Sequence, residues 1–265
     1  CPPYPECIED YVGEQDTTNC NQGSVTVDYQ SGWNLVGLPL EVEYPDFLTI
    51  FPDAIENTLF SFDDAYMIDT ALFQGEGYWL RFDNSGITTI IGTSIDELTI
   101  SLNAGWNLIS GLHEDISIYS FNDPDSTIVP NTLFGFSDSY FSTEELIPGK
   151  GYWLRAFQDG EVTITGDGLA RVKPQDFSLN DKANTLTVNG MDLYFGVEMS
   201  AREKLSYSLP PKPPLGASDV RFKGDTRIAK DNAEIELMNI SQSVTIAYNI
   251  IIDAGEHMSW VLTSE

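Results

Sequence analysis

Apolar and polar residues alternate along this chain with period two, in runs too short for helices. Residues 25–29 alternate into a Ser-Gly turn and residues 33–38 follow it. Residues 57–62 and 65–68 predict a hairpin turning at Asp63-Asp64, and residues 77–82, 86–92 and 97–102 predict three further strands. The runs are aromatic and β-branched, and Gly, Asn and Asp separate them. Only residues 46–55 offer a short helix, which Pro52 interrupts.

The same pattern then starts again. SGWNLVGLPL (31–40) returns as AGWNLISGL (104–112), NTLFSFDDAY (57–66) as NTLFGFSDSY (131–140), and GEGYWLRF (75–82) as GKGYWLRA (149–156). The offset is 73 residues for the first pair and 74 for the other two, so one inserted residue separates the copies. Three motifs in one order at nearly one spacing define a duplicated unit. The expected fold is all-β: two tandem homologous β-domains, each a sandwich or small barrel, followed by a third, immunoglobulin-like β-sandwich. The expected divisions are residues 1–23 as a cysteine-containing arm, 24–98 and 99–170 as the repeats, and 171–265 as the C-terminal domain. Residues 186–188, 193–197, 235–238, 244–252 and 258–262 are the strand candidates of that last part. The proline-rich stretch 208–222 is expected to be an extended, exposed connector.

Charge sharpens the division near residue 170. The 265 residues carry 13 basic and 41 acidic groups, a formal net of −28. Residues 1–170 hold only Arg81, Lys150 and Arg155 against 28 acids. Such a chain repels nucleic acid and anionic membranes and suits cationic partners or divalent cations. No run approaches the roughly 18 apolar residues of a membrane span, and the first residues show neither a signal peptide nor an initiating Met, as expected of a processed product or a fragment. Cys1, Cys7 and Cys20 all lie in the Pro-rich first 20 residues. One disulfide among them, in an oxidising compartment, leaves an odd thiol for another segment or another chain. Lipid attachment at Cys1 and a zinc site are the weaker readings.

Trp33, Trp79, Trp106 and Trp153 occupy equivalent repeat positions among glycines and leucines, which points to core packing. The alternative is a carbohydrate platform at Tyr78, Trp79, Tyr152 and Trp153, with either the tyrosines or the tryptophans facing outward. Arg81 and Arg155 are equivalent, as are Asp64 and Asp138, so each Arg is expected to pair with the Asp of its own unit. Asp63, Asp64 and Asp69, the group Asn122, Asp123 and Asp125, and the group Glu41, Glu43 and Asp46 are candidate Ca2+ ligands, although none has the spacing of a known calcium loop. Catalytic signatures are missing: His113 and His257 lie in different domains, and no HExxH, GxSxG elbow, P-loop or haem site occurs.

The paired GWNL and GYW blocks resemble repeats of large secreted bacterial surface proteins. The tail LYFGVE…YSLPPKPPLGASDVRF…IAYNIIIDAGEHMSWVL resembles the β-domain before the sorting domain of type IX secretion substrates, with the sorting domain itself absent. That resemblance implies an extracellular or cell-surface location. It also implies O-glycan sites at Asp-Ser/Thr, matched at Thr17, Thr70 and Ser126. The expectation is therefore a non-catalytic structural or adhesive protein, self-associating or bound to other surface proteins, for which a subunit of a surface filament or matrix assembly is one form. The alternative is a polysaccharide-binding accessory region of a larger secreted enzyme.

Overall fold

A computed structural model describes residues 22–166, 179, 182–240, 243–251 and 261–263. The fold is all-β, built from open sheets with no closed barrel. In the first repeat the strands are β1 (Gln22–Tyr29), β2 (Gly32–Gly37), β3 (Leu40–Glu41), β4 (Phe60–Asp63), β5 (Ala65–Ile68), β6 (Gly77–Phe82) and β7 (Gly86–Ser94). They form a three-stranded sheet in the order β1-β7-β3 and a four-stranded sheet in the order β2-β6-β4-β5. The two sheets close on a core of Val27, Tyr29, Leu40, Tyr78, Leu80, Phe82 and Ile90. The helical possibility is realised as one turn, α1 (Phe47–Ile50), where the Asp46 carboxylate accepts from the backbone N–H of Leu48 and of Thr49, both at 3.1 Å.

The second repeat follows the same plan with β8 (Glu97–Leu102), β9 (Gly105–Ser110), β10 (Ile116–Ser117), β11 (Phe134–Ser137), β12 (Ser139–Ser142), β13 (Glu145–Leu146), β14 (Gly151–Ala156) and β15 (Gly160–Thr165). Its four-stranded sheet runs β12-β11-β14-β9, and β8 pairs with β15. The expected divisions at 23/24 and 98/99 cut through β1 and β8, each of which pairs along its whole length inside its repeat.

The repeats are not separate beads. Their four-stranded sheets pack on each other about an approximate two-fold axis, seen in reciprocal contacts. The Gly37 N–H donates to the Gly149 carbonyl at 3.0 Å, and the Ser110 N–H to the Gly75 carbonyl at 3.0 Å. Trp79 meets Phe136 edge-on at 4.7 Å between ring centroids, and Trp153 meets Phe62 at 4.8 Å.

The glycine of each GYW motif permits this approach. A Cβ at Gly77 would lie 2.5 Å from the Ile109 carbonyl oxygen, and one at Gly151 would lie 2.6 Å from that of Val36. Because the obstacle is backbone, it cannot rotate away. Gly77→Ala is expected to cost about 1–3 kcal/mol, the usual cost of overpacking, whereas alanine at Gly23, whose nearest neighbour is the Ser94 hydroxyl, should cost less. Urea unfolding of both variants checks this, and equal midpoints would refute the close approach.

The remaining elements are β16 (Asn184–Val188), β17 (Met191–Phe195), α2 (Ala201–Leu205), β18 (Asp219–Phe222), β19 (Ile228–Ala229), β20 (Ile235–Met238) and β21 (Ile246–Asn249). They make one sheet in the order β19-β17-β16-β21 and a β18-β20 pair. Helix α2 opens with a Ser200/Glu203 capping box that sequence reading passed over. Leu186, Leu193, Leu209, Val220 and Phe222 join Trp79, Phe134, Tyr140 and Trp153 in a single core, so the C-terminal part packs directly on the aromatic faces of the repeats.

Candidate functional site

Strands β6 and β14 are covered on both sides, and this decides where the motif aromatics go. Tyr78 and Tyr152 point into the core of their own repeat, while Trp79 and Trp153 point into the shared core. All four rings are buried. The expected choice between outward tyrosines and outward tryptophans fails because both faces of β6 and β14 are covered at these positions. The carbohydrate platform at Tyr78, Trp79, Tyr152 and Trp153 is therefore corrected. Burial, with the hydrogen bond to Glu76, raises the Tyr78 hydroxyl pKa, and burial pushes that of Tyr152 to about 12.

The expected Arg–Asp pairs do not form either. The Arg81 guanidinium lies over the Trp33 ring, 5.9 Å from its centroid, and that of Arg155 lies 5.6 Å from the centroid of Trp106. Asp64 and Asp138 sit instead at the tips of hairpins that cross to the other repeat, so Asp64 borders the cleft of Trp106 and Arg155, and Asp138 that of Trp33. Burial depresses the pKa of Arg155.

The Ca2+ candidates are dispersed. No group of three or more His, Cys, Asp or Glu side chains converges among the described residues. Asp63 and Asp64 flank a tight turn, with Asp64 at φ 56°. The Asp123 carboxylate already accepts from the Thr127 N–H at 2.8 Å and the Ile128 N–H at 3.0 Å. Asp69 and Asp125 have no such cluster around them, and Asp46 caps α1. Thr70 and Ser126 are exposed. Cys1, Cys7, Cys20, Thr17 and His257 lie outside the described residues. His113 bonds the Ile95 carbonyl at 3.1 Å.

The most elaborate polar arrangement surrounds the proline connector and corrects the expectation of an exposed segment in part, since Lys212, Leu215 and Gly216 are exposed but its prolines turn inward. Pro210 and Pro213 are buried. Proline supplies carbonyls but no N–H, so an extended proline segment needs a wall of donors. The two repeats and β18 provide one. Arg221 donates to the Pro210 carbonyl at 2.8 Å, Tyr140 to Pro211 at 2.8 Å, Tyr66 to Lys212 at 2.9 Å, and the Trp33 indole N–H to Leu215 at 3.1 Å. Tyr66 and Tyr140 are repeat equivalents, both taken from the closing tyrosine of the NTLF…Y motif. Burial pushes the Tyr66 pKa to about 12 and raises that of Tyr140 well above the usual phenol.

Arg221 is the anchor of this arrangement. It is fully buried, its Nε donates to the equally buried Asp219, and its Nη1 reaches Asp225 at 2.7 Å as well as Pro210. Burial opposes the Arg221 charge, but the two carboxylates outweigh it and its pKa is raised. Burial also pushes the Asp219 carboxyl upward, against the pull of Arg221.

On either side of the connector a cleft opens. One, of about 540 Å³, includes Trp33, Phe136, Asp138 and Gly216. The other, of about 640 Å³, includes the equivalent Trp106, Phe62 and Asp64 together with Arg155, Lys204 and Lys230. Neither is an enclosed chamber, and the polar groups of both come from several elements. No helix of the described residues is long and apolar enough to cross a membrane. No protein-family model, curated protein or solved structure matches the chain.

Proposed function

We propose that this protein is a non-catalytic extracellular structural or adhesive subunit of a surface filament or matrix assembly. The observation that carries this reading is the fate of the repeated aromatics. Apart from Trp106, which borders a cleft, the tryptophans and tyrosines that the duplication preserves are consumed in packing the sheets and holding a proline segment, rather than in lining a reaction site. What remains outside is an acidic surface suited to solubility and to cationic or polar partners.

Self-association draws support from β21. Among the described residues it pairs with β16 on one side only, and it exposes Ile246 and Tyr248, the latter to 75 %. An apolar edge strand of this kind is a ready template for a strand from another chain. The likeness of the GWNL and GYW blocks to secreted surface proteins supports the extracellular location. The rival reading, a polysaccharide-binding region, loses support because the rings it relied on are buried.

Electron microscopy of the native surface material and of the concentrated purified chain, with Ca2+ present, tests the proposal. Filaments or ordered sheets are expected. Monodisperse monomers in both preparations would overturn it.

A further inference from the structure

The approximate two-fold relation supplies four aromatic donors to the connector face, and the connector uses three. Tyr66, Tyr140 and Trp33 each bond one of its carbonyls. Trp106, the repeat equivalent of Trp33, meets no connector carbonyl among the described residues. The connector passes this side through Ser208 and Leu209 and leaves the indole facing the cleft of about 640 Å³. That cleft differs from its counterpart in charge. Among the described residues Arg155 makes no ion pair, Lys204 also borders the cleft and Lys230 pairs at the rim with Glu198 at 3.1 Å; of the two acids in the lining, Asp225 is paired with Arg221, which leaves Asp64 beside Arg155 and Lys204. In a chain of net charge −28, cations gathered beside an apolar wall of Phe62 and Leu209 invite an acidic, carbonyl-rich segment.

We propose that the Trp106 cleft is the docking site for the N-terminal arm of a second copy, residues 2–10. This rests on the self-association reading above and adds the contact that carries it. The arm begins Pro2-Pro3-Tyr4-Pro5-Glu6, the same Pro-Pro-X-Pro pattern as Pro210-Pro211-Lys212-Pro213, which this aromatic face already holds in the chain's own connector. Its prolines offer carbonyls to the Trp106 N–H, and Glu6, Glu9 and Asp10 meet Arg155 and Lys204. Residues 1–21 contain five acids and no Lys or Arg, so the charge match is one-sided. Proline recognition by an aromatic groove loses little chain entropy, because proline-rich sequences favour an extended conformation before they bind. At roughly 3.3 Å per residue, 21 residues reach up to about 70 Å, enough to cross to a neighbour.

The test uses the full chain. Sedimentation velocity over a concentration series, in parallel with the indole N–H resonances, should show association accompanied by movement of the Trp106 signal, assigned with Trp106→Phe. Arg155→Gln, and separately the combined Pro2→Ser, Pro3→Ser and Pro5→Ser chain, should each weaken association about tenfold or more, the scale of a lost charge-assisted contact or anchor. Arg81→Gln, at the equivalent position of the other repeat, should leave it unchanged. Near-UV circular dichroism identifies any variant that fails to fold, and the arm variant substitutes no residue of the described fold. Association equal in all chains, or a Trp106 signal independent of concentration, would overturn the inference. Filaments persisting in the Arg155→Gln chain would overturn this site and leave the assembly reading standing, whereas a chain monomeric throughout would overturn both.

Discussion

Arg221→Met should destabilise the protein by about 3–5 kcal/mol, because it removes one partner of a buried ion pair and strands the other. Asp219 would be left fully buried without its cation, and the Pro210 carbonyl without its donor. Methionine approximates the volume of the lost side chain, so the loss is electrostatic and not a cavity. The combined Arg221→Met and Asp219→Leu chain should recover much of it, since replacing both partners by apolar groups is often close to neutral. Urea unfolding followed by tryptophan fluorescence measures both. The fluorescence matters because the connector bonds Trp33, so loosening Pro210 should perturb the repeat indoles as well as the C-terminal sheet. A single-variant loss below about 1 kcal/mol would show that the pair is not what anchors the connector.

Trp79→Ala and Trp153→Ala should each cost about 3–5 kcal/mol, the range for deleting a large buried aromatic. The two losses should be similar, since each ring is fully buried and each meets a phenylalanine of the opposite repeat. The stronger expectation concerns cooperativity. Because the rings form one core with Leu193, Leu209 and Phe222, either variant should shift a single transition seen by fluorescence and by far-UV circular dichroism alike. Two resolved transitions, with only one moved by each substitution, would mean that the repeats fold as independent units and would refute the shared core. Trp33→Ala, at a half-buried ring, should cost less than either.

Much of the fold is legible in the sequence. The strand segments at 25–29, 33–38, 65–68 and 77–82 correspond to β1, β2, β5 and β6, because short alternating runs between Gly, Asn and Asp have few other solutions. The duplication was legible from the three motif pairs. The site was much less so. Tyr66 and Tyr140 stand at the ends of motifs that are plain in the sequence, but their task depends on a segment 146 residues from the first and 71 from the second. The buried Arg221 reads, in sequence, as one more cation of a C-terminal part that contains ten of the 13.

Local pattern thus determined the secondary structure, the duplicated unit and the acidic character of the chain, since alternation, turn residues and charge are properties of neighbouring positions. Tertiary structure alone decided which aromatics are buried, where the arginines point and what the prolines touch. Alternation assigns a strand two faces but cannot tell whether a second sheet covers the outer one. Here the second copy of the repeat covers it, so that the tyrosines and the tryptophans of the GYW motifs are both buried, and the connector expected to be exposed has Pro210 and Pro213 buried against the aromatic face.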